Sequence, residues 1–140
     1  MSKGNTTETD VLSNIFNATA FSWNANTNLY VALHTADPGE AGSQTTSEAT
    51  YTSYARVTVA RSGVGWTVSS PAGVGTTVNA ALIQFPQCTG STNTITYVSI
   101  GTASSGAGQI LYSGALNASL AVANLIQPQF SASALTITED

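Results

Sequence analysis

The chain has 140 residues and a formal net charge of −4, with only 7% of residues charged against 42% hydrophobic; the usual charged share is about a quarter. Three basic residues, Lys3, Arg56 and Arg61, against seven acidic ones exclude a protein that grips nucleic acid by neutralising phosphates. The length suits one domain over residues 1–140, able to bury roughly two thirds of its unfolded surface without a disulfide or metal staple.

Met1 to Glu8 is polar and reads, with the end Thr138-Glu139-Asp140, as a pair of flexible arms (1–8 and 138–140) that fold on binding or stay free. It has no apolar run behind its one lysine, so no export signal is expected, and no stretch is long enough to span a bilayer. One short N-terminal helix follows. Thr9 is placed to cap it with Asp10 in the first turn, and Val11, Leu12, Ile15 and Phe16 gather on one face. That face either covers an open edge of a sheet or grips a partner subunit.

From Leu29 the period changes to two. Leu29, Val31 and Leu33 alternate with Tyr30, Ala32 and His34, a strand with one face inward, and Asp37-Pro38-Gly39 ends it in a turn. Glu40 to Thr50 lacks alternation and reads as a surface loop. A strand is expected over Tyr54 to Arg61, joined through Gly63 and Gly65 to Trp66-Thr67-Val68 as a hairpin. Further strands are expected over Val78 to Phe85, Ile95 to Ile100, Gln109 to Tyr112, Leu116 to Val122, Leu125 to Phe130 and Leu135 to Thr138, with a glycine and serine turn from Gly101 to Gly108. About nine or ten strands without interleaved helices argue for an all-β antiparallel sandwich, with a jelly roll as the expected topology.

Catalytic chemistry is mostly excluded. His34 is the only histidine, which removes paired-histidine metal sites, and a lone histidine at a strand end is ordinarily hydrogen-bonded structure. His34 and Asp37 lack the G-x-S-x-G elbow that would give a nucleophilic serine meaning. Asp37, Glu40 and Glu48 share one loop without the dense calcium-loop pattern, and read as solvated turn carboxylates. The glycine-rich 101–108 segment has no Gly-Lys-Ser/Thr ending to cradle phosphates. Cys88 is single and has no basic neighbour, so it reads as a structural thiol. Tyr51 with Tyr54 is the best pair for stacking on a sugar, although sheet-rim aromatics need no such role. No enzyme, cofactor or metal is expected.

The run from Leu29 to Gly39, LYVALHTADPG, followed by Glu48, Tyr54-Ala55-Arg56 and Trp66, resembles a family of small structural proteins of tailed bacteriophages, in which an LALHTADPG strand and turn precede an E…YAR…W strand. The likeness extends through Asn79, Phe85-Pro86 and Tyr97 to Gly101, and departs at Asn124-Leu125-Ile126 and Ser131-Ala132-Ser133, where relatives carry glycine-containing turns. Within that family it resembles the jelly-roll capsid cement protein of a Bordetella podophage. The resemblance implies a capsid cement or decoration protein that binds across neighbouring major capsid proteins as a homodimer, on the exterior of a head assembled in the host cytoplasm. A tail-fibre-like or receptor-binding virion protein is the alternative it leaves open. Val11, Leu12, Ile15 and Phe16 on the helix, and Asp37, Glu40, Glu48, Tyr51 and Tyr54 around the long loop, are the candidate interface residues.

Overall fold

The computed structural model describes residues 1–139. They form strands β1 (Ser2–Lys3), β2 (Asn28–His34), β3 (Val57–Ala60), β4 (Trp66–Ser69), β5 (Gly75–Asn79), β6 (Ile83–Gln84), β7 (Asn93–Gly101), β8 (Ile110–Val122), β9 (Gln129–Phe130) and β10 (Thr136–Glu139), with one helix, α1 (Asn5–Asn17), after β1. A five-stranded sheet in the order β1-β8-β7-β2-β3 faces a three-stranded sheet, β10-β5-β4, and the short pair β6-β9. Every pairing is antiparallel, so the expected all-β sandwich with one short helix is the observed architecture.

Register explains which side chains meet inside. Leu29 lies opposite Val59, Val31 opposite both Val57 and Ile100, and Leu33 opposite Val98, so the odd residues of β2 share one face with their neighbours. That face packs against Trp66, Ile83, Phe85, Leu135 and Ile137 from the other layer in one core cluster. The even residues do not all reach solvent, contrary to the one-face-inward reading: Ala32 and His34 are buried as well. The reason is the segment after β2, which returns to roof and extend this end of the sheet. Thr35 N–H donates to Ser47 O at 2.8 Å and Ala49 N–H to Leu33 O at 2.8 Å, so residues 47–49 line the edge of β2 where β3 leaves off.

Several element boundaries differ from the sequence reading. The helix starts at Asn5 with Gly4 in the capping position, and Thr9 sits inside it with its hydroxyl on Asn5 O at 3.1 Å. The start moves because residues before it are not a loose arm. Ser2 and Lys3 pair with Ser113 and Tyr112 of β8, and Asn5 N–H donates to Glu40 O at 2.9 Å, which turns the chain into the helix early. At the other end, Thr138 and Glu139 are paired with Thr76 and Gly75 of β5, and Asp140 lies outside the described residues.

The Gly63–Gly65 segment is no hairpin. β3 belongs to the five-stranded sheet and β4 to the three-stranded one, so the turn, closed by Gly65 and Trp66 N–H on Ser62 O, carries the chain from one layer to the other. The strand expected over Tyr54 to Arg61 shortens to Val57–Ala60 because Arg56 is drawn into a side-chain network described below. Asn79 splits the one expected over Val78 to Phe85. Its buried amide donates to Ala81 O and Ser131 O, and its oxygen accepts from Leu135 N–H, all at 2.8 Å, which bends the chain between β5 and β6. Conversely, the two runs expected over Gln109 to Tyr112 and Leu116 to Val122 merge into β8, with a bulge opposite Ile95/Tyr97 absorbing the irregular pattern. Of Leu125 to Phe130 only Gln129–Phe130 is strand.

Candidate interaction surface

The long loop from Thr35 to Arg56 is held by buried polar groups, which include two of the candidate loop residues, Glu48 and Tyr54. Glu48 accepts from Arg56 Nε at 2.7 Å and Nη2 at 2.8 Å, a two-pronged ion pair. The Arg56 side chain is 2% exposed, and its guanidinium also donates to Ala103 O at 2.8 Å and Gly106 O at 2.7 Å, tying the glycine-rich turn to the loop. Tyr54 Oη donates to Glu48 at 3.0 Å and accepts from Leu33 N–H at 3.1 Å. Burial, reinforced by the neighbouring Glu48 carboxylate, pushes its phenol well above the ordinary range. Glu48 is therefore a structural partner and no solvated turn carboxylate, because Arg56 needs a counter-charge once it is buried.

His34 belongs to the same clasp. Nδ1–H donates to Thr46 O at 2.8 Å, which leaves Nε2 as the acceptor for the Ser99 hydroxyl at 2.7 Å. Burial holds the imidazole below its ordinary pKa despite that carbonyl and the Glu48 and Asp37 carboxylates, so the ring is a neutral structural group, as a lone strand-end histidine leads one to expect. Gln44, fully buried, donates to Tyr30 O at 3.2 Å and accepts from Ala103 N–H at 3.0 Å. Its side chain fills the space that a Cβ at Gly101 or Gly108 would need, which is why those two positions of the turn are glycine.

The other loop candidates are scattered. Asp37 is exposed and accepts from Gly39 N–H at 2.8 Å, a local Asx turn, while Glu40 is exposed and takes the Ser2 hydroxyl. With Glu48 turned inward the three carboxylates do not converge, and among the described residues no cluster of metal-ligating side chains forms. Tyr51 is 2% exposed, donates to Pro86 O at 3.0 Å and meets Tyr54 edge-on with centroids 5.3 Å apart, its phenol pushed up to about 12 by burial. Tyr54 in turn stacks on Phe85 at 6.3 Å. Tyr51 is a core aromatic, and Tyr54 is partly buried and packed against the core. Cys88 is buried with its thiol on Gly90 O.

The helix is the reverse of an ordinary surface helix. Thr7 is its buried residue, its hydroxyl donating to Ile110 O at 2.9 Å, and Asp10 accepts from Gln109 at 2.9 Å on the same side. Leu12, Ile15 and Phe16 point away from the sheet and are 56%, 65% and 77% exposed; Val11 is half-buried. Of the two uses open to this face, covering a sheet edge is not the one observed. The helix turns Thr7 and Asp10 to the sheet and three large apolar side chains outward, the pattern that makes this face a candidate interaction surface.

Sequence reading missed a second apolar surface. Between the layers opens a cleft of about 520 Å³ lined chiefly by Trp23, Leu29, Trp66, Val68, Ile100 and Leu111. Trp23 is stacked on Phe21 at 4.7 Å and carries the Arg61 guanidinium 4.7 Å over its ring. Both indole N–H groups, of Trp23 and Trp66, are buried without an acceptor. Val68 has the same parity as Trp66 on β4 yet is 79% exposed, which marks the mouth of the cleft. The aromatic spacing of Phe21 and Trp23 was the available signal. A separate, more polar hollow of about 650 Å³ lies beside β8 and β9.

The family described as Podophage GP4 fiber I protein gp80 matches residues 2–138. The chain belongs to this family. Among curated proteins none matches it. Membership makes the protein a structural protein of a phage particle, in agreement with the resemblance carried by Leu29 to Trp66. Among the described residues no helix is long and apolar enough to cross a membrane.

Proposed function

We propose that the protein is a non-enzymatic subunit of a podophage fibre, holding its neighbours through surface contacts. The match of a fibre-protein family over residues 2–138 carries this reading. The composition supports it, since a surface with few charges tolerates permanent association better than free circulation at high concentration. The outward face of α1 supplies a surface for such contacts.

Head cement is the second reading, favoured by the shape of the described chain: a sandwich with both terminal strands folded back onto it, and no extended shaft among the described residues. In that role the partners are the major capsid protein and a second copy of this chain, on the outside of the capsid. Many modest contacts on one lattice would then resist internal pressure together. Quantitative mass spectrometry of purified particles separates the two. Few copies per particle support the fibre, a number close to that of the major capsid protein supports cement, and absence from the particle overturns both.

A further inference from the structure

We propose that the outward apolar face of α1 in one copy seats in the interlayer cleft of a second copy. The proposal does not depend on which part of the particle the protein occupies. Two observations on opposite sides of the contact lead to it. Glu8, Leu12, Ile15 and Phe16 follow one another at i, i+4, i+7 and i+8, so a carboxylate heads the same exposed stripe that carries the three apolar side chains. The cleft is its complement: apolar walls with the Arg61 guanidinium at the rim.

Charge supports the match. Among the described residues the ion pairs are Lys3–Glu139 and Arg56–Glu48, which leaves Glu8 and Arg61 each without an opposite charge. Arg61 spends Nη1 on Asn24 O and Asn26 O at 2.9 and 3.3 Å, keeping Nε and Nη2 for an incoming carboxylate. Asp10, the other acid of the helix, is already taken by Gln109. A sugar or nucleotide is a poor occupant, because such ligands need several convergent polar groups and this lining offers few. A helix ridge of Leu, Ile and Phe needs none. Since ridge and cleft are different patches of one chain, the contact is head-to-tail. It closes into a ring or continues as a filament according to the rotation between copies.

Sedimentation velocity on the full chain tests the contact first. The expected result is a concentration-dependent assembly that Phe16→Ser weakens by about tenfold or more, the loss expected from one buried aromatic anchor. Arg61 also braces Trp23 within its own chain, so charge reversal there could disturb the fold; exposed positions give the cleaner check. Protein carrying Phe16→Cys is mixed with protein carrying Val68→Cys and oxidised. Cross-links between positions 16 and 68 are expected in excess over 16–16 and 68–68. Leu125→Cys, also exposed but outside the cleft, is expected to give none with Phe16→Cys. A monomer at every soluble concentration, an assembly indifferent to Phe16→Ser, or cross-links without the 16–68 preference overturns the proposal. So does a Phe16→Ser protein that self-associates normally but no longer joins the particle, which would give the ridge to another virion protein.

Discussion

Removing Glu48 is the most informative single perturbation of the loop clasp. Its carboxylate meets Arg56 at 2.7 Å and 2.8 Å, and the two side chains are 16% and 2% exposed, so the pair is shielded from water and salt. In Glu48→Ala the guanidinium keeps only the carbonyls of Ala103 and Gly106, and Tyr54 loses its acceptor. Breaking a buried pair from one side costs about 3–5 kcal/mol. For a chain of this size that is a fall in Tm of about 10–20 °C. Because the penalty is an orphaned charge, Glu48→Leu combined with Arg56→Met should recover most of it. Urea unfolding and calorimetry on the three proteins at neutral pH read these values. A loss below about 1 kcal/mol in Glu48→Ala would refute the reasoning, and so would a double variant no better than the single one.

The remaining expectations concern other parts of the fold. His34 is held neutral by burial, so the unfolded chain takes up a proton near the ordinary value of 6.5 while the native chain does not. Stability should therefore fall as the pH drops from that value toward the lower native pKa, and His34→Gln should flatten this slope in melts across the range. Gly108→Ala puts a methyl group into the Gln44 side chain and should destabilise by about 1–3 kcal/mol in urea titrations. At Glu139, burial raises the carboxyl pKa, but hydrogen bonds from Lys3, at 2.8 Å, and from Tyr112 outweigh it and the net shift is downward. With Glu139 46% exposed, Glu139→Gln should cost under about 1 kcal/mol at neutral pH, and the difference should vanish as acid carries the native carboxylate through its depressed pKa.

Alternation was enough to expose β2 and β7, because they pair across the centre of a sheet where one face must be apolar. Ile95 to Ile100 and Leu29 to His34 could be read for that reason. Strands ended by a side chain were not legible. Nothing local distinguishes an Asn79 that folds back on three backbone groups from one in a strand, and Arg56 looks like a strand residue until Glu48 is found beside it. The helix period was correct, but its direction was not contained in it. An amphipathic pattern gives the helix an apolar face, and only the packing of Thr7 on Ile110 and of Asp10 on Gln109 shows that this face is turned away from the sheet. Of the candidate surface, Leu12, Ile15 and Phe16 came from spacing. The cleft depends on two layers meeting, which no single stretch of sequence encodes.

The central claim, that the protein is a fibre subunit of the particle, is tested most directly by immunogold electron microscopy of intact virions with antibody against this chain. The account predicts sparse label on fibres. Dense, even label over the heads would contradict it in favour of cement, and unlabelled particles would contradict a place on the accessible surface of the virion.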